Sequence, residues 1–364
     1  MNTVASNNKS IPSDETRFWK KKETISWFLS ILIYLIHIST FASYPNVGTT
    51  MSKINEGVAF FFKESITRYA VPMFFILSGM AFFKNYENKV YFKKLKSRCR
   101  SLLVPFIIWN TLWLLFEIVC ASTFIASYIN REPIVLSVKN VLKGFFFYEY
   151  NPPFWFIFDL FVFTLLAPII YTMIKNKFVG LSTVILSSIL LNFNIGLPES
   201  VFFSSSSIVY YLIGAIIGKH YLSYFTKKSS SKLQLASLSF LIAYICIKNI
   251  LHILDILPED PSLNVLIYVM CSFAIWNIFD LFVERIKNRS IYKTSFAMYA
   301  MHINVSATIT RLLFFLLPKY EWCAIPNFII TIVLTTTIIY SFCIILNRIS
   351  PSLYSLLMGR KLKS

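Results

Sequence analysis

The sequence predicts an all-α, polytopic integral membrane protein with about ten transmembrane helices and both termini in the cytoplasm. Of its 364 residues, 56% are hydrophobic and only 14% are charged, whereas a soluble domain carries about a quarter charged residues. The apolar residues fall into runs of about 20, the length that crosses a bilayer as a helix. These observations exclude a soluble enzyme, a secreted disulfide scaffold and a disordered protein.

Ten apolar segments, each bounded by charged and turn residues, are the predicted spans. They lie at 24–44, 66–83, 102–126, 153–174, 178–193, 205–224, 233–251, 262–283, 295–317 and 323–346. The second and the fifth are the shortest, so their ends are the least defined. Around the spans we predict a disordered, basic cytoplasmic tail over 1–22, a membrane domain over 23–347 and a basic cytoplasmic tail over 348–364.

The distribution of basic residues predicts the orientation. A net charge of +18 would suggest a nucleic-acid partner in a soluble chain. Here, 26 of the 35 Lys and Arg residues lie on the side of the predicted spans that holds both termini, and seven lie in the opposite loops. Cytoplasmic loops of membrane proteins are enriched in Lys and Arg, so this side is predicted to be cytoplasmic and no nucleic acid is needed to explain the charge. The six cysteines form no C-x-x-C pair, and we expect no metal site.

A polar stripe along the first span makes His37 the leading catalytic candidate. At 100° per residue, Ser26, Ser30 and Tyr34 share the helix face of His37. Such a stripe faces protein or water rather than lipid. An imidazole there can act as a general base near neutral pH. A buried structural histidine, bonded to a neighbouring helix, explains the same pattern equally well.

Several other ionisable groups lie at predicted membrane depth, where charge is costly and function is a common reason for it. Glu117, Asp159 and Arg311 fall in the outer halves of their spans, and Arg68 lies at the outer edge of the second. With His37 they would line an outward-facing cavity, or else they form structural ion pairs.

His302 is placed only by its depth, and Lys248 receives an ordinary interpretation. His302 falls in the inner half of the ninth span, away from the outer groups. Lys248 lies near an outer helix end, where a long side chain reaches the headgroups by snorkelling.

A basic segment precedes the third span and contains Lys96, Arg98 and Arg100. Its ordinary role is a topology signal with attraction to anionic lipid headgroups. Its functional interpretation is a phosphate-binding surface, because guanidinium groups bind phosphate in a bidentate manner.

Six landmarks occur along the chain in one order. After His37 come VPMFFILSGMAFF at 71–83, RCRSLLVP at 98–105, FWFIFDL at 154–160 with a later Ala-Pro, YYLIGAIIG at 210–218, and SFAMYAMH at 295–302. No single landmark is specific, but the ordered set resembles the membrane acyltransferase family often called acyltransferase 3. The resemblance covers roughly residues 24–320.

The resemblance implies ten spans and transfer of an acyl group, commonly acetyl, from cytoplasmic acyl-CoA to hydroxyls of cell-envelope saccharides such as lipopolysaccharide. It implies a bacterial inner-membrane protein that uses acetyl-CoA or a similar acyl-CoA as co-substrate and has no bound cofactor. The residues that would carry these roles are His37 as general base, Asp159 to orient it or the acceptor, Arg98, Arg100 and Lys96 on the CoA phosphates, and Trp155 and Arg68 on the saccharide.

One departure from the family pattern concerns Ser26. The family usually has a basic residue, most often Arg, eleven positions before the first-span histidine, and here that position is Ser26. The nearest cations are Lys20, Lys21 and Lys22. Either these lysines replace the missing charge or the transfer chemistry is impaired.

Two other functions stay open at this stage. A transporter or flippase of the same fold would suit the missing Arg, with Pro72, Pro105 and Pro168 breaking helices around a site in the membrane. A non-catalytic subunit of a polysaccharide assembly system is the other. The sequence leaves open the acceptor, the acyl chain and the oligomeric state.

Overall fold

The computed structural model describes residues 14–121, 136–192, 204–256, 261–286 and 290–360, and all regular structure in these ranges is helical. Short 3₁₀ and π segments link or extend the α-helices. In chain order the α-helices are α1 (Asp14–His37), α2 (Thr50–Phe60), α3 (Ala70–Phe83), α4 (Tyr91–Arg98), α5 (Val104–Ala121), α6 (Val138–Phe146), α7 (Trp155–Leu165), α8 (Ala167–Ile174), α9 (Lys177–Asn192), α10 (Ser205–Ile216), α11 (Leu222–Thr226), α12 (Ser231–Ile253), α13 (Pro261–Ile278), α14 (Ser295–Leu316), α15 (Ala324–Ile349) and α16 (Pro351–Leu357).

The described helices are those of a polytopic membrane protein. Over its described residues, each of the ten predicted apolar segments falls on one helix or on consecutive helices. By length and composition, five helical stretches of the described residues are able to cross a membrane, and six if Pro152–Leu165 and Ala167–Ile174, bent by 68°, form one span. The all-helical class is therefore confirmed, while the number of ten spans and the side of the termini stay predictions.

Helix α1 begins ten residues before the predicted first span. Asp14 and Glu15 occupy its first turn, where negative charge suits the positive end of the helix dipole. One and two turns further along the helix, Arg17 and Lys21 form ion pairs of 2.7 and 2.8 Å with the buried Asp280. We predict residues 14–22 as part of a disordered tail, but they are helical because they contact residues that are far away in the sequence. The rest of that tail lies outside the described residues.

Helix α3 touches α10 and the π-helical segment Ile217–Tyr221 that extends α10 through their backbones. A Cβ atom added to Gly214 would overlap the carbonyl oxygen of Ile76, and one added to Gly218 would overlap that of Met80. Gly79 approaches the backbone of α10 in the same way from the other side. Small residues at helix contacts allow this approach in membrane bundles, and these three glycines therefore set the distance between the two helices.

Helix α1 runs parallel to α14 and packs beside it and α15. The rings of Trp27 and Tyr292 lie 5.5 Å apart near the start of this contact. Two turns further along α1, the Tyr34 hydroxyl donates to the Thr331 carbonyl of α15 at 3.0 Å. This register decides which side chains of α14 face the C-terminal end of α1.

Candidate functional site

One cavity of the bundle, which we name the aromatic cavity, has a volume of about 900 Å³. It lies among α1, α3, α7, α10, α12, α13 and the segment 60–68. Its aromatic lining consists of Phe60, Phe75, Trp155, Tyr210, Phe240, Tyr244 and Tyr268. A cavity of this size with apolar walls and a few polar groups suits a small organic ligand.

Three charged side chains line the aromatic cavity. Arg68 donates two hydrogen bonds to the Glu64 carboxylate, one from Nε at 2.6 Å and one from a terminal guanidinium nitrogen. Lys248 Nζ donates to the Glu64 backbone carbonyl at 2.8 Å and to the Tyr244 hydroxyl at 3.4 Å. Snorkelling therefore does not explain Lys248. With two cations and one carboxylate, these three groups leave the wall one positive charge in excess.

The structure brings two of the predicted substrate residues together, because Arg68 and Trp155 both line the aromatic cavity. Asp159 lies one turn after Trp155 and is buried. Its carboxylate accepts hydrogen bonds from the Ser204 backbone N–H at 3.2 Å and from the Ser207 hydroxyl. Asp159 thus holds the start of α10 behind the cavity wall, and its predicted role toward His37 or the acceptor stays a prediction.

His37 and His302 form a pair at one level of the bundle. His37 is the last residue of α1 and is exposed. Its ring centroid lies 5.4 Å from that of the fully buried His302, with the ring planes inclined by 42°. Sequence reasoning considered these two histidines separately, whereas the structure brings their rings together. Counting residues along separate spans cannot align two helices whose register is set by packing.

The His302 ring is fixed by its own helix. Its Nδ1 lies 3.0 and 2.9 Å from the carbonyl oxygens of Met298 and Tyr299. Its Nε2 is buried and has no hydrogen-bond partner among the described residues.

His37 lies beside the aromatic cavity. Its neighbour Ile36 lines that cavity, although His37 itself does not. Lys63 and Arg68 lie within electrostatic range of the His37 ring. Positive charge at such a place stabilises negative charge that develops on a reacting oxygen.

A second, smaller cavity of about 520 Å³, which we name the basic cavity, has no acidic residue among the described residues that line it. Five basic residues line it: Lys84, Lys93, Lys94, Lys96 and Arg100. Lys84 pairs with Glu15, and Lys94 donates to the Lys84 carbonyl at 3.0 Å. The other three have no ion-pair partner in the part of the chain that the structure describes, so they are able to bind phosphate oxygens.

The C-terminal segment completes the wall of the basic cavity. Gly359 lines it beside Ser101. Gly359 has a left-handed backbone with φ of 61°, and a Cβ added there would overlap the Ser101 carbonyl oxygen. Only glycine fits both conditions without strain.

Arg98 lies outside the basic cavity, although Lys96 and Arg100 line it. Its guanidinium lies 5.5 Å from the centroid of the Phe82 ring. Of the lysines considered as substitutes for a cation at Ser26, Lys21 is neutralised by a buried carboxylate. Lys22 lies within electrostatic range of Arg98, so these two cations share one region.

A family model described as an acyltransferase domain matches residues 26–346. The chain belongs to the acyltransferase 3 family. The match includes both histidines, the complete lining of the aromatic cavity and all of the basic cavity except Gly359. Comparisons with curated proteins and with solved structures find no match. As a member of the acyltransferase 3 family, the chain is a membrane acyltransferase.

Sequence reasoning gave no functional role to three residues of this candidate site. His302 ends one of the six family landmarks, and that position is a signal that would have found it. Glu64 and Lys248 lie on segments that are far apart in the sequence, and their contact has no local signal.

Proposed function

We propose that this protein transfers an acyl group, with acetyl as the first candidate, from acyl-CoA to a hydroxyl of an envelope saccharide. The family match over residues 26–346 carries this proposal. According to this proposal, ten spans cross the bacterial inner membrane. The basic cavity faces the cytoplasm and binds the CoA phosphates, and the aromatic cavity binds the saccharide on the outer side.

The proposed reaction is a direct exchange of thioester for ester. His37 takes the proton of the acceptor hydroxyl while its oxygen attacks the thioester carbonyl carbon. The new C–O bond forms, the C–S bond breaks, and the thiolate of CoA receives the proton from His37. The cations Lys63 and Arg68, which lie within electrostatic range of His37, would stabilise the oxyanion formed on the way.

Transfer of label is the direct test. Proteoliposomes that contain only this chain, together with extracted envelope saccharide, would receive acetyl-CoA labelled in the acetyl group. Label in the saccharide supports the proposal. Label that appears only in native membrane vesicles, where other envelope proteins are present, indicates a non-catalytic subunit. No label in either preparation rejects acetyl transfer to that saccharide.

The donor site gives a separate prediction. Exchanging Lys96 and Arg100 for Glu should raise the KM for acyl-CoA about tenfold or more, because a hydrogen bond to a charged group contributes roughly 1.5–3 kcal/mol. The kcat at saturating donor should change less. Lys175→Glu is the matched control, since Lys175 is exposed and does not line the basic cavity. Equal KM values in the control and the double variant would place the donor elsewhere.

One observation favours transport as a second candidate. The helices Pro152–Leu165 and Ala167–Ile174 meet at a bend of 68°, and Pro168 lies at the start of the second. Broken helices of this kind are common at transporter binding sites. Uptake of a solute by the same proteoliposomes without any acyl-CoA would support the transport function rather than acyl transfer.

A further inference from the structure

We infer that His302 is a positioning residue for His37. In this arrangement His302 Nε2 accepts a hydrogen bond from one nitrogen of the His37 ring, and the other His37 nitrogen keeps its lone pair toward the acceptor hydroxyl. The inference rests on the proposed function and adds a second residue to its general base.

The hydrogen bonds of His302 determine its tautomer. Its Nδ1 contacts the Met298 and Tyr299 carbonyl oxygens at 3.0 and 2.9 Å. A carbonyl oxygen only accepts hydrogen bonds, so Nδ1 carries the proton. In the neutral ring Nε2 then carries a lone pair and is an acceptor.

This acceptor needs a donor. Nε2 lies in a fully buried side chain and has no partner among the described residues, whereas buried polar atoms are nearly always hydrogen-bonded. Two tyrosine rings lie near, with centroids 6.1 Å (Tyr34) and 6.3 Å (Tyr299) from that of His302. Tyr34 donates its hydroxyl proton to Thr331, and Tyr299 donates its own to Pro153. Both phenol protons are therefore already used in hydrogen bonds, and His37 is the neighbouring ring that is able to donate one to Nε2.

The distance between the imidazoles fits such a bond. Two imidazoles joined by a straight N–H···N hydrogen bond of about 2.9 Å have ring centroids roughly 5.2 Å apart. The observed separation is 5.4 Å. Because His37 is exposed at the end of α1, a small rotation of its ring completes the bond without displacing packed side chains.

The bond would serve His37 in both of its protonation states. Before the reaction it fixes which His37 nitrogen carries the proton, so that the free lone pair lies on the side of the acceptor. After His37 takes the acceptor proton, the same N–H still donates to His302 and stabilises the imidazolium. An orienting partner of this kind generalises the logic of catalytic triads, here with a neutral group in place of a carboxylate.

Two amide substitutions separate positioning from structure. In His302→Asn, the side-chain amide remains close enough to donate to the Met298 and Tyr299 carbonyls, but nothing occupies the place of Nε2. In His302→Gln, the longer amide reaches the place of Nε2. We expect His302→Asn to lower kcat on the order of 10–100-fold, as for other residues that orient a functional histidine, with the KM for acyl-CoA unchanged. His302→Gln should keep most of the activity.

A second readout requires neither the acyl-CoA donor nor the saccharide acceptor. Diethyl pyrocarbonate modifies unprotonated imidazoles, and mass spectrometry reports the rate at His37, with His220 in the same sample as internal reference. We expect slower modification of His37 in His302→Asn and a rate near that of the wild type in His302→Gln. Equal His37 rates in all three proteins would overturn the inference even if no saccharide is ever acylated. Wild-type transfer together with full kcat in both variants would overturn it and leave the proposed function intact, and equal loss in both variants would reduce His302 to a structural residue.

Discussion

His37→Ala is expected to lower acyl transfer by about 10²–10⁴-fold, the usual contribution of a positioned general base. A saccharide hydroxyl is a poor nucleophile until its proton is removed, and His37 lies beside the aromatic cavity where that hydroxyl would bind. Because the side chain is exposed at the end of α1, its removal takes away chemistry rather than packing. Labelled acetyl transfer at equal protein level measures the effect.

The control for this prediction is another histidine. His220 Nε2 contacts the Ile174 carbonyl at 2.7 Å, and in His220→Gln the amide can keep a donor near that carbonyl. This variant should transfer label as the wild type does. Full transfer by His37→Ala would show that the base is a different group.

Gly214→Ala is expected to destabilise the fold by about 3 kcal/mol or more, at or beyond the upper end of ordinary overpacking. The added methyl group would overlap the Ile76 carbonyl oxygen on α3. A flexible side chain would move aside, but here the obstacle is helix backbone, so α3 and α10 must separate. Thermal unfolding in detergent, with the yield of monodisperse protein, measures the loss.

Gly57→Ala is the matched control, since it also replaces a helical glycine. An added Cβ at Gly57 has no atom within 4 Å, so the exchange should be neutral or slightly stabilising through the lower entropy of the unfolded chain. Equal melting temperatures for the Gly214 and Gly57 variants would mean that α3 and α10 do not approach as closely as described.

Features that depend on neighbouring residues could be predicted from the sequence. Apolar runs gave the positions of the helices, because burial in lipid requires the same composition wherever a helix lies in the bundle. The expectation that Pro168 breaks a helix is also met, since Ala167–Ile174 begins one residue before it at the 68° bend. The landmarks that carry Trp155 and Arg100 likewise come close to the two cavities.

Features that depend on pairing between distant helices could not be predicted. The helical period shows that His37 shares a face with Ser26, but it does not show what that face meets, so the partner His302 stayed hidden. The same holds for Lys248, whose acceptor is a backbone carbonyl on another element. Residues 14–22 are a further example, because their helix is tied to Asp280 by ion pairs.

The position of Gly359 has a consequence for biogenesis. Since a chain is made from its N-terminus, the residues that line the aromatic cavity are all present once residue 268 has been added, and His302 follows. The basic cavity gains Gly359 almost 260 residues after the other residues of its wall. A nascent chain therefore has every lining residue of its proposed acceptor site well before the last lining residue of its proposed donor site has been added.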